Sequence, residues 1–463
     1  MSNKAAHCFK RRLWPRSLGP RKLFQSSVCA SFCENSHCDA VEASARLDRS
    51  WRGNLLARLE TCSIRLLTML VLLSASSIDV ATQAGQVDEL STRTRRLHER
   101  AIVIDTHADT TQRLLFEKGF DIARRNERGS IDIPRMREGG LDALFFSIWM
   151  PGDVTGPLAV KRAMQQIDRV RESVRVHSKD LFFATSVADI RRAASERKIA
   201  VLMGMEGGHM LDDDLGLLRL YAALGVRYLT LTHSLNTTWA DSSGDKPVHN
   251  GLTSFGKDVV RELNRLGVMV DVSHVADKTF YDTLDVSKAP VVSSHSSCRA
   301  ISNSPRNMSD EMLRALAKNG GVIMINYNSA FLSEEFRIAA GGPEMTARLQ
   351  AATKGCGEDQ ACSILEGQRV SQEAMRSGQA PSVTLDKIVE HIDHAVKVAG
   401  IDHVGLGSDF DGAVMPLGME DASKLPRITD ALLKRGYTEP DIIKILGGNL
   451  LRVMGQVEAT KSQ

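Results

Sequence analysis

GVMVDVSHVADKTFYDTLDVSKAPVVSSHSS, residues 267–297, holds the unit from which the rest of the chain can be read. GVMVDVSH (267–274) is almost continuously apolar and β-branched until it meets a polar end, and PVVSSHSS (290–297) follows the same plan. Residues 276–285, between them, have the length and spacing of an amphipathic helix. A strand buried on both faces needs such an uninterrupted apolar run, and a helical crossover makes the two strands parallel. Both runs end in a histidine, His274 and His295.

Six more runs repeat the pattern: AIVIDTH (101–107), LDALFFSIWM (141–150), KIAVLMGMEG (198–207), VRYLTLTH (226–233), GGVIMINY (320–327) and HVGLGSDF (403–410). Helical segments fall at 158–176, 213–224, 256–266, 309–318 and 384–399, with a pair at 428–435 and 439–446. Asp213 with Asp214, and Ser309 with Asp310 and Glu311, are start signals, and Gly267 is a stop. Eight strands alternating with helices predict an α/β chain folded as a (β/α)8 TIM-like barrel over residues 95–455. A doubly wound open sheet is the alternative, but no GxGxxG follows the first strand to mark a dinucleotide fold. Residues 328–383, after the seventh strand, are too long for an ordinary connection. They carry Gly341, Gly342, Gly355, Gly357 and a helical segment at 343–353, and predict a lid-like insertion over the barrel mouth.

Composition excludes more than it identifies. The net charge of +3 comes from residues 1–64, where eleven Lys or Arg face five Asp or Glu. By subtraction the remainder carries −3, so a nucleic-acid partner has no basic surface in the body of the chain. Residues 1–63 are irregular and hold five of the eight cysteines; they read as an unassigned, disordered or mis-called leader. Cys29, Cys33 and Cys38 with His37 do not have the spacing of a zinc ribbon. The segment 64–85 opens with IRLLTMLVLLSASS and resembles a secretory signal peptide, too short to span a bilayer. An exported, periplasmic or secreted protein with no stable membrane span is expected from it; a cytoplasmic protein is the alternative. Cys356 and Cys362 would close a small disulfide loop in an exported chain, and Cys298 is left unpaired.

The chemistry lies in where the polar residues stand. His107 and Asp109, Glu206, His233, His274, His295 and Asp409 close six of the eight strands. In a barrel all C-terminal strand ends face one mouth, where such enzymes place their sites. His107 and Asp109 are two apart, so in extended backbone both point the same way. Imidazole with carboxylate suits an ion such as Zn²⁺, and the surplus of ligands over one four-coordinate site favours two metals sharing a carboxylate. Glu206 is the natural bridge.

These residues carry a family likeness. Residues 99–455 resemble the membrane (renal) dipeptidases, zinc peptidases on an amidohydrolase-type barrel, through VIDTHADT, GMEGGHML, RYLTLTHSLNTTWAD, GLTSFGKDVVRELNRLGVMVDVSHV, APVVSSHSSCRAI with SPRNMSD, and GLGSDFDG. The resemblance implies two Zn²⁺ ions per chain: His107 and Asp109 on one, His274 and His295 on the other, Glu206 bridging. It implies that His233 touches substrate and stabilises the oxyanion, that Asp409 is the acid/base, with Asp411 competing for that role, and that Arg306 pairs with the dipeptide's C-terminal carboxylate. The family's mammalian members have a tyrosine where Phe331 stands, so carboxylate recognition here leans more on Arg306. Their cysteine positions and lipid-anchor tail are not matched, the sequence ending EATKSQ. The expected activity is hydrolysis of dipeptides, with a C-terminal D-residue tolerated, and a homodimer is compatible with it. The alternatives are a related amidohydrolase acting on N-acyl amino acids or other small amides, and a metal-dependent scaffold, against which the complete ligand set argues.

Overall fold

The computed structural model describes residues 90–357 and 359–462; the leader, the signal-like segment and the early cysteines lie outside them. Nine strands form one parallel sheet: β1 Ile104–Ala108, β2 Ala143–Trp149, β3 Leu181–Phe183, β4 Ile199–Glu206, β5 Val226–Thr230, β6 Met269–Asp271, β7 Val292–Ser296, β8 Val322–Ile325 and β9 Val404–Leu406. Eight of them, in the order β1-β2-β4-β5-β6-β7-β8-β9, are the eight expected from the sequence and make the nearly closed (β/α)8 barrel. β3 was not foreseen. It pairs with only the first three residues of β4, on the edge that β5 takes further along, and a three-residue LFF run is too short to stand out.

The barrel closes at its two ends of chain. Ala108 bridges Phe410, with the Asp109 N–H donating to the Phe410 carbonyl at 2.8 Å and the Asp409 N–H to the His107 carbonyl at 3.0 Å. Alternate strand residues Ile104, Ala143, Phe145, Ala200, Leu202, Met269, Val292, Val322 and Met324 form a buried cluster with Ile190, Ala193, Leu450, Met454 and Val457 from two helices. Their strand-facing partners, such as Leu144, Phe146, Val201 and Ile323, pack instead into the larger core that includes the outer helices. Removing each such Leu, Ile or Phe side chain from water is worth about 1.5–3 kcal/mol, which is why β2, β4 and β8 are almost entirely apolar.

The helices begin and end on the residues that the pattern marked. Asp214 accepts from the Gly216 N–H and Ser309 from the Met312 N–H, while Gly267 ends its helix in the left-handed region at φ +68°. The insertion contains four helices, Ser329–Leu332, Glu334–Ala340, Pro343–Thr353 and Gln360–Arg376, where only the third was expected. Cys356, in the turn after the third, and Cys362, in the first turn of the fourth, form a disulfide; Cys298 is a buried free thiol. Gln368 of the last helix donates to the Ala413 carbonyl at 2.8 Å, which ties the insertion to the loop following β9 on the mouth side of the barrel. Among the described residues no helix is long and apolar enough to cross a membrane.

Candidate metal centre

Six of the eight strand ends deliver side chains to one buried cluster. The Nε2 of His107 lies 3.3 Å from Asp109 Oδ1 and 3.3 Å from Glu206 Oε2. The other carboxylate oxygen, Glu206 Oε1, lies 2.9 Å from His274 Nε2, 3.1 Å from His295 Nε2 and 3.7 Å from His233 Nε2. The two oxygens of one glutamate therefore face two different sets of donors. Three overlapping groups have ligand atoms within 4.8 Å of one another: His107, Glu206 and His295; Glu206, His233 and His274; and His107, Asp109 and Asp409. All seven residues singled out at strand ends thus meet in one place.

The donor set fits a cation on independent grounds. His107 Nε2 and Asp109 Oδ1 are buried and have no hydrogen-bond partner despite their closeness, an arrangement that costs free energy unless something positive lies between. Burial pushes Asp109 up to about 7, the charge of Glu206 adding to it, and burial also raises Asp409. Burial holds His274 and His295 well below the usual histidine range, and the Arg306 charge acts in the same direction. Burial opposes the charge of Glu206 too, yet His107 and His233 hold it well below the usual carboxylate range. His107 is the exception among these imidazoles: burial opposes its charge, but Glu206 and Asp109 beside it raise it well above the usual histidine range, so without a cation the cluster holds a proton there. His274 and His295 are neutral and offer the lone pairs that a Zn²⁺-type site requires. Three non-glycine residues here, His274, Asp409 and Asp411, have φ between +63° and +68°. Such backbone is held only where the surroundings over-determine it, and it collects at functional sites.

Several contributors were not anticipated. Gly204 on β4 leaves room for the Tyr228 ring, since a Cβ there would stand 1.8 Å from its Cζ. The Tyr228 hydroxyl donates to the Thr106 carbonyl at 3.1 Å and so accepts from His107 Nδ1 at 2.8 Å, leaving the His107 Nε2 lone pair for the cluster. Asn326 donates to Asp409 Oδ2 at 3.0 Å. Asp271, inside an otherwise apolar run, was the visible clue to a further network, because a buried acid must have partners. The competing acid Asp411 is engaged elsewhere: its oxygens accept from Thr110 Oγ1 at 2.7 Å and the Ser130 N–H at 2.6 Å, with Arg113 3.6 Å away.

Arg306 is buried, not a solvated loop residue. It donates to Ser296 Oγ at 2.6 Å and to the His295 carbonyl at 2.5 Å, and its Nε has no partner. Burial pulls its guanidinium down to about 10, with Asp409 and Glu206 acting the other way. Its Cζ lies 5.6 Å from the centre of the Phe331 ring.

The family model for membrane dipeptidases, peptidase family M19, matches residues 91–463. The chain belongs to this family. Among solved structures it is similar to a probable dipeptidase, PvdM, of Pseudomonas aeruginosa, at 29% identity and TM-score 0.68 over 80% of this chain and 98% of that one. It is also similar to a metallopeptidase of Rhodobacter sphaeroides liganded with a phosphinate mimic of L-Ala-D-Ala, at 26% identity and TM-score 0.63, covering 77% of this chain and 99% of that one. A dipeptidase described as a metallopeptidase of the same family matches at 27% identity and TM-score 0.62, over 77% and 98%. This member of the membrane dipeptidase family is accordingly a metallo-dipeptidase, a hydrolase of peptide bonds.

Proposed function

We propose that the chain is a two-zinc dipeptidase in which Glu206 is shared between the metals. One observation carries this: Oε2 of Glu206 faces His107 beside Asp109, while Oε1 faces His274 and His295. In this reading His107 and Asp109 hold one ion and His274 and His295 the other. Bound there, the ions would supply Lewis acidity and bring the proton affinity of a water into the neutral range.

The remaining steps belong to side chains. Asp409, raised by burial and steadied by Asn326, takes a proton from the attacking water and passes it to the leaving amine. His233 stands beside Glu206 with Nδ1 unpartnered and contacts the oxygen on which charge develops. Arg306 anchors the C-terminal carboxylate of the dipeptide, and the adjacent Phe331 ring bounds that subsite. The neighbour liganded with an L-Ala-D-Ala mimic supports tolerance of a D-residue at the C-terminal position. The Cys356–Cys362 bond supports an exported protein, since such bonds persist in oxidising compartments.

The test is metal content per chain together with hydrolysis of matched L,L and L,D dipeptides and their N-acetyl derivatives. Two zinc ions and preference for free dipeptides are expected. Faster cleavage of the N-acetyl compounds would point to an amidase of N-acyl amino acids instead.

A further inference from the structure

A hydrogen-bond relay ends on His295 as one ends on His107, but the two differ in charge. Asp271, at the end of β6, is fully buried. Its Oδ1 accepts from the Ser273 N–H at 3.0 Å and the Ser294 N–H at 2.8 Å, and its Oδ2 from Thr230 Oγ1 at 2.5 Å and Ser294 Oγ at 2.6 Å. A serine hydroxyl has one proton, and here the carboxylate takes it. The 2.8 Å contact between Ser294 Oγ and His295 Nδ1 is then one in which the imidazole donates. That fixes the proton on Nδ1 and leaves the Nε2 lone pair directed at Glu206 Oε1, 3.1 Å away. On the other side His107 Nδ1 donates to the Tyr228 hydroxyl, which donates to the Thr106 carbonyl, so that chain ends on a neutral acceptor.

We propose that Asp271, acting through Ser294, is the positioning residue that presents the Nε2 lone pair of His295 and thereby sets the occupancy of the His274–His295 metal position. The inference rests on the two-metal reading above. It gives the two positions separate supports, so that each can be weakened alone. Outer partners of metal-bound histidines typically contribute about 10–100-fold in metal affinity.

Ser294→Ala removes the relay and leaves Asp271 with its other three donors. Asp271→Asn reverses it: an amide nitrogen in place of Oδ2 would donate to Ser294, whose proton would turn toward His295 Nδ1 and force the imidazole proton onto Nε2. Ser293→Ala is the control: the Ser293 hydroxyl contacts Ser273 Oγ, which lies 3.3 Å from Ser294 Oγ and accepts from the His295 N–H, but it touches neither Asp271 nor His295 Nδ1. The measurement is zinc per chain by native mass spectrometry during titration with a chelator, alongside thermal unfolding of the metal-free proteins. One zinc in S294A and D271N should be released at about 10–100-fold lower chelator concentration, D271N the more affected. S293A should match wild type, and metal-free S294A should unfold where metal-free wild type does. If wild type holds two zinc ions and both relay variants release them unchanged, the relay is overturned and the two-metal reading stands. If wild type holds a single zinc that S294A still loosens, the two-metal reading is overturned and the relay stands.

Discussion

The N–H of Asp409 donates to the carbonyl oxygen of His107 at 3.0 Å, so the last barrel strand closes on the first at residues of the candidate metal centre itself. A second bond, Asp109 N–H to the Phe410 carbonyl at 2.8 Å, lies beside it. The seam of the barrel and the metal cluster are one structure. This explains how Asp409 and Asp411 are held at φ +68° and +63°: the seam fixes the backbone of one, and Thr110 and Ser130 take the side chain of the other.

Asp409→Asn should lower kcat by about 10²–10⁴-fold while both metals stay bound, because the amide cannot accept and return a proton. Asn326→Ala should do a smaller version of the same, about tenfold, by freeing the Asp409 carboxylate from its 3.0 Å donor. Steady-state kinetics with metal analysis on the same samples decide it. Unchanged turnover in D409N would remove Asp409 from the proton path.

Gly412→Ala should be among the most damaging single methyl groups in the protein. A Cβ at 412 would stand 1.9 Å from Asp109 Oδ2 and 2.7 Å from Asp409 Oδ1, so both carboxylates must move. Loss of activity together with weakened metal at the His107 position is expected, with little change in the unfolding temperature of the metal-free protein. If zinc affinity and kcat both match wild type, those carboxylates have more freedom than their burial suggests.

The sequence made the barrel legible because its strands are buried on both faces and six of the eight end in a histidine or carboxylate that an apolar core would reject. His107, Glu206, His274 and His295 announced themselves in that way. What supports them did not. Tyr228 and Gly204 look like ordinary strand residues, and only the ring filling the space above a missing Cβ connects them to His107. Asn326 follows an apolar run as many turn residues do, and its role depends on β8 standing next to β9. Helix Gln360–Arg376 mixes Gly367 and three serine or cysteine positions into its length, which blurs the period that reveals a helix.

Arg306→Lys should raise KM for free dipeptides by about 10–100-fold and leave C-terminally amidated substrates little changed. Hydrogen bonds to a charged group are worth about 1.5–3 kcal/mol, and lysine cannot both hold Ser296 Oγ and the His295 carbonyl and present a fork to a carboxylate. Phe331→Tyr, which adds a hydroxyl beside the guanidinium, should lower that KM. Equal losses on free and amidated substrates would show that Arg306 supports the backbone of His295 and does not read the carboxylate.

His391 should make the protein lose stability as pH falls from about 6.5 to about 4. Its ring accepts from the Cys298 N–H at 2.9 Å through Nδ1 and contacts the Leu332 carbonyl at 3.1 Å through Nε2, so the neutral form joins the loop after His295 to the start of the insertion. Burial pushes it down to about 4, with Glu390 opposing and His394 and Lys387 reinforcing. The unfolded chain binds the proton near 6.5 and the folded one only near 4, so stability is full above 6.5 and declines between the two values. At about 1.4 kcal/mol per pH unit the loss reaches about 3 kcal/mol. Asp105 and Asp142, both pushed up to about 6 by burial, act in the opposite sense over the same range, since the fold favours their neutral forms. The total curve therefore hides the effect, and the difference between wild type and His391→Gln exposes it. Denaturant unfolding at intervals from pH 4 to 7 should show wild type falling relative to the variant; parallel curves would mean that the imidazole stays neutral, or is protonated, in both states alike.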